Sequence, residues 1–148
     1  MPTARFRRES PKESLELARV LLVDDDVASR LTLQTVLEAG GYSVEVAATA
    51  AEAVVKLDAG EYQLVLTDLR MESPEAGLKV IRHAKLQPYK PATAVVTAYP
   101  DHELPSMGFQ RDVFVETEDV PTLLTKVADM IGTRATRRVE RALRQAAS

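Results

Sequence analysis

Two hydrophobic periodicities alternate along the middle of the chain. Val20-Leu21-Leu22-Val23 is a continuous apolar run that stops abruptly at Asp24-Asp25-Asp26, the pattern of a strand buried on both faces. From Val27 to Ala39 the positions Ala28, Leu31, Leu33, Val36 and Leu37 suit an amphipathic helix, which Gly40-Gly41 ends. Tyr42 to Ala47 alternates and predicts a second strand. Thr49-Ala50-Ala51-Glu52 forms a capping box that opens a helix through Leu57 to Gly60. Leu64-Val65-Leu66-Thr67 predicts a third strand, again closed by an aspartate, Asp68. A loop leads into a helix through Leu78, Val80, Ile81 and Ala84, which Pro88 and Pro91 close. Ala94 to Thr97 is a fourth strand and Asp112 to Glu116 a fifth. Leu123, Leu124, Val127, Met130 and Ile131 mark a last helix, with Pro121 tolerated in its first turn. Between strands four and five, Tyr99 to Arg111 contains Pro100, Pro105 and Gly108, so a helix there is expected to be short or irregular. Strands alternating with helices predict a doubly wound α/β fold, a parallel sheet with helices on both faces.

Composition narrows the function classes. The 148 residues, 45% hydrophobic and 28% charged, fit one globular domain and exclude wholesale disorder. No apolar run approaches the roughly 20 residues of a membrane helix, and no apolar segment follows the arginines of the first 14 residues as a secretory signal would require. With no cysteine there is no disulfide, thiolate metal site or cysteine nucleophile. A cytoplasmic protein is expected. The net charge of -3 is unevenly spread: residues 1–19 carry +2, 132–148 carry +4 and the middle -9. The basic ends read as solvated, frayed tails, with an anionic partner at the C-terminal arginines as the sharper alternative.

The chemistry lies at strand ends. Ligands of open parallel sheets bind outside the carboxyl ends of the strands. Asp24 and Asp25 follow strand one, Asp68 follows strand three and Thr97 ends strand four. With adjacent strands about 4.8 Å apart, these carboxylates crowd one crevice if strands one and three are neighbours. Either a proton or a cation must then intervene, and an all-oxygen site with few ligands favours Mg²⁺. The plainer reading makes each aspartate a helix N-cap.

The runs VLLVDDDVASR, LVLTDLRM with a glycine shortly after, and AVVTAY together resemble the receiver domain of two-component response regulators over about residues 19–131. The resemblance implies a flavodoxin-like five-stranded sheet in the order 2-1-3-4-5. It implies a phosphoryl group passed from a histidine kinase or phosphotransfer protein to an aspartate, in a signalling switch and not a classical enzyme. By position, Asp68 is the implied phospho-acceptor. Asp24 and Asp25, with Asp68 and the backbone carbonyl of Arg70, are the implied Mg²⁺ ligands. Thr97 is the hydroxyl that bonds the phosphoryl group and Phe114 the aromatic switch. Residues 1–18 are then a basic extension and 132–148 an arginine-rich helical tail along which Val139, Leu143 and Ala146 share one side. A homodimer is left open; neither a membrane nor nucleic acid is expected as a partner, and 148 residues leave no room for a DNA-binding module.

Three departures from the family pattern stand out. Thr117 occupies the position of a lysine after strand five, flanked by Glu116 and Glu118; Arg70 and Lys126 are the alternative cations. In the loop after Asp68, Glu72 stands where a proline commonly follows the methionine. The proline-broken segment 99–111 replaces the usual fourth helix. The missing lysine supports an alternative, a degenerate receiver that is never phosphorylated and serves as a protein-interaction module. Asp24-Asp25-Asp26 also resembles the Asp-x-Asp nucleophile of haloacid-dehalogenase-type phosphatases, with Asp24 attacking and Asp26 as acid. That chemistry needs a downstream lysine followed by an acidic pair; the lysines here are badly placed for it, and the chain is short for that fold. His83 and His102 have no metal-ligand spacing and read as structural or surface residues.

Overall fold

The computed structural model describes residues 17–69, 71–97, 113–115 and 119–147. The elements are β1 (Arg19–Val23), α1 (Val27–Ala39), β2 (Ser43–Ala47), α2 (Ala50–Ala59), β3 (Leu64–Asp68), α3 (Ala76–Lys85), β4 (Ala92–Thr97), β5 (Val113–Val115) and α4 (Val120–Ala147). All strand pairs are parallel, in the order β2-β1-β3-β4-β5. The neighbour relation of β1 and β3, on which the crowding of the aspartates depended, is therefore present. The segment 99–111, and with it the expected short or irregular helix, lies outside the described residues.

Alternation along each strand divides the core in two. Val20 and Leu22 of β1 join Leu64 and Leu66 of β3 against Leu37 of α1 and Leu123 and Val127 of α4. Leu21 and Val23 join Val65 against Ala53 and Leu57 of α2 and Val80 and Ala84 of α3. Both faces are covered, which is why these strands read as unbroken apolar runs. At the amino end of the sheet Arg19 stacks over Tyr62, 4.7 Å from the ring centroid, and bridges to Glu45. The Tyr62 hydroxyl also bonds Glu45, and burial first, then that carboxylate, pushes its pKa up to about 12.

The helix boundaries follow from local chemistry. Asp26 caps α1, accepting from the Ser29 amide at 2.8 Å. At its other end Gly41, with φ of 99°, lets the Gly41 and Tyr42 amides turn back onto Glu38 and Leu37, a left-handed closure that a side chain would strain. Thr49 caps α2 as expected, but Glu52 reaches the Ala48 amide, one residue before the cap. Two expectations change. Leu31 is 59% exposed and Ala28 also lies outside, because only Leu33, Val36 and Leu37 of that stripe face the sheet. The C-terminal tail is not frayed: α4 runs 28 residues without a break. Arg134, 9% exposed, ties it to the turn before β4 through the carbonyls of Tyr89 and Lys90, at 2.7 and 3.0 Å. No helix among the described residues is long and apolar enough to cross a membrane.

Candidate functional site

Strand register assembles the site. Val20 to Val23 of β1 pair with Leu64 to Thr67 of β3, so one further step brings Asp24 alongside Asp68. Both continue the parity of the residues that face α1 and α4. Asp24, Asp25 and Asp68 each place a carboxylate oxygen within 4.8 Å of the others.

The three consecutive aspartates have separate surroundings. Asp24 is 5% exposed. Its amide donates to Ala47 at 3.0 Å, its carbonyl accepts from Arg30 at 2.8 Å and its Oδ1 accepts from the Asp26 amide at 3.0 Å. Asp26 is the helix cap: the Ser29 backbone amide, then the Ser29 hydroxyl, hold its carboxyl below the usual range. The plain N-cap reading thus belongs to Asp26, while Asp24 and Asp25 turn to the crevice with Asp68. Three oxygens from carboxylates so close repel one another and favour a hard cation, and the donor set fits Mg²⁺.

The end of β3 is braced from behind. A Cβ on Gly77 would lie 2.7 Å from the Leu69 carbonyl oxygen and 2.8 Å from its Cα, so the glycine is what lets α3 press on the backbone just after Asp68. Its amide donates to the same carbonyl at 3.2 Å. Glu72, the apparent oddity of the loop, accepts from the Ala50 amide at 3.0 Å. It satisfies an open amide at the start of α2, where negative charge is favoured. Met71 packs onto the core beside it. The sequence carried no local signal for this tie, because the partner lies 22 residues earlier.

Of the remaining expected residues, Thr97 ends β4 with its backbone opposite Val115, and Phe114 pairs with Val96; for both, the backbone is what is described. Arg70, Thr117 and His102 lie outside the described residues. His83 is structural: its Nε2 lies 2.8 Å from Asp58, joining α3 to α2.

Comparison with known proteins agrees with this architecture. A "Gliding motility regulatory protein" from Myxococcus xanthus is 41% identical over 70 residues, 47% of this chain and 9% of that protein. The chain therefore spans a small part of that relative's length. A CheY-like response regulator receiver domain protein from Methanospirillum hungatei JF-1 superposes with a TM-score of 0.70 at 28% identity, over 82% of this chain and 99% of that one. The receiver domain of sensor histidine kinase PA1611 from Pseudomonas aeruginosa PAO1, solved with a magnesium ion in its active-site cleft, gives a TM-score of 0.71 at 20% identity, over 79% and 99%. The sequence profile of the response regulator receiver domain matches residues 20–114, well over half the chain, and the chain belongs to that family.

Proposed function

We propose that Asp68 accepts a phosphoryl group from a phosphohistidine of a histidine kinase or phosphotransfer protein, making the chain a cytoplasmic signalling switch. The observation that carries this reading is the convergence of Asp24, Asp25 and Asp68 within 4.8 Å at the carboxyl ends of β1 and β3. A carboxylate oxygen of Asp68 forms the new bond to phosphorus as the phosphorus–nitrogen bond of the donor breaks, its electron pair leaving with the imidazole. Asp24, Asp25 and Asp68 would hold Mg²⁺, joined by the Arg70 backbone carbonyl that the family resemblance implies. When bound, the ion neutralises charge on the phosphoryl oxygens. The Arg30 and Ala47 bonds keep Asp24 in place, so the crevice needs little rearrangement for transfer. Thr97 donates a hydrogen bond to a phosphoryl oxygen, and Phe114 is the aromatic switch. Residues 19–131 form the receiver, preceded by a basic extension at 1–18 and followed by the tail at 132–148.

Thr117 cannot supply the cation that a lysine would bring, a loss of about 1.5–3 kcal/mol for a charge-assisted bond. That one residue favours the second reading, an unphosphorylated interaction module. Mg²⁺ titration followed by calorimetry, together with transfer from a phosphorylated kinase, separates the two. The first reading expects one Mg²⁺ site weakened at least about tenfold in Asp25→Asn and label on the wild type. Mg²⁺ binding without label would favour the module.

A further inference from the structure

A second concave surface lies at the opposite end of the sheet. Where α4 passes the start of β4 it leaves a groove of about 590 Å³, within the size range of small-ligand sites. Lys85 enters it from the last turn of α3, Lys90 from the following turn, and Arg137 and Arg141 from α4. Asp129 is the one carboxylate in its wall, and Pro91, Ala92 and Met130 form an apolar floor. Among the described residues, none of those four cations has an ion-pair partner. In a protein of net charge -3, four cations lining one concave wall focus a local positive field that concentrates anions there. The guanidinium of Arg134 registers the crowding: burial first, then Arg138 and Arg141, lower its pKa, with Glu61 opposing.

The backbone supplies an independent sign that this groove is built. Lys90 has φ of 49°, the one positive value among described residues other than glycine. A residue with a Cβ resists that conformation, and such strain persists where surrounding structure holds it, often at ligand clamps. Here the holder is Arg134, which grips the carbonyls of Tyr89 and Lys90. The strained turn places Lys90 on the rim of the groove, facing α4.

We infer that this groove binds a ligand carrying two or more adjacent phosphate groups, at a site separate from the Asp68 crevice. Arg137 and Arg141 are one helical turn apart, about 6 Å along the axis, and guanidinium groups pair with phosphate oxygens two bonds at a time. Concavity favours a ligand of nucleotide size over a flat acidic protein face. The two sites stand at opposite ends of β4, roughly 15 Å apart along the strand.

The test uses the full chain, inorganic triphosphate as probe, low salt and no Mg²⁺, read by calorimetry. Saturable one-to-one binding is expected, weakened at least about tenfold in Arg137→Ala/Arg141→Ala and also weakened in Lys90→Gly. Asp68→Asn should bind like the wild type. No saturable binding, or equal binding by the double arginine variant with unchanged circular dichroism, would overturn the inference. Tighter binding in Asp68→Asn, which removes a negative charge from the acidic crevice, would assign the probe to that crevice and overturn it too. A short DNA duplex that binds where triphosphate does not would make the surface a nucleic-acid contact instead.

Discussion

Asp24, Asp25 and Asp26 are adjacent in the chain and do different work. Asp26 spends its carboxylate on the Ser29 amide, so Asp26→Ala should lower the melting temperature while leaving Mg²⁺ affinity within about threefold. Asp24→Asn and Asp25→Asn should show the reverse balance. Asp26, and likewise Asp119, whose carboxylate takes the Thr122 amide at 2.9 Å, have carboxyls held below the usual range. A depressed folded pKa means that their stabilisation is fully present above the unfolded value near ~3.9 and is lost as pH falls through the folded pKa. Acid melting curves of Asp26→Ala should therefore converge with the wild type as pH falls through the depressed folded pKa. Gly77→Ala is the sharpest steric probe. Its methyl group meets Leu69 backbone at 2.7–2.8 Å, so a loss of roughly 1–3 kcal/mol is expected, with weaker Mg²⁺ binding because the displaced backbone adjoins Asp68. Denaturant melts and calorimetry on one preparation check both effects. The strand-end aspartates were legible in the sequence because β-strand register needs only the apolar runs to align. Which aspartates face the crevice was implied by the family resemblance alone; the residues themselves left every one of the three open as a cap, since that depends on backbone direction after Val23.

At the scale of elements, the ties that matter join segments distant in sequence. Glu72 fastens the loop after Asp68 to the start of α2. Glu72→Ala should cost about 0.5–1.5 kcal/mol in denaturant melts, and Glu72→Gln, which keeps an acceptor, should recover most of it. Arg134 fastens α4 to the turn before β4 with two bonds to carbonyls. Arg134→Ala should cost about 1.5–3 kcal/mol and speed amide exchange at the start of β4. The first four strands and the start of each described helix were readable within a residue or two, because caps and apolar runs are local. The helical tail was readable as well, from Val139, Leu143 and Ala146 on one side, but its docking was not, because Arg134 finds its partners at Tyr89 and Lys90, far back in the chain. Leu31 was misassigned for a related reason, since a five-position apolar stripe is wider than the face that the sheet can cover.

Across the described residues, a parallel sheet carries an anionic crevice at one end and a cationic groove at the other. The fold was legible because both faces of the sheet are buried, leaving strands with an unmistakable apolar signature. The acidic crevice was legible with it. The groove was only a hint, as a basic tail, because its other wall comes from Lys85 and Lys90 on a separate element. Whether the acidic end takes a phosphoryl group is read by intact-mass spectrometry after incubation with acetyl phosphate and Mg²⁺. One added phosphoryl group on the wild type and none on Asp68→Asn is the predicted result. An unmodified wild type that nonetheless binds Mg²⁺, with rapid hydrolysis excluded by early quenching, would contradict it.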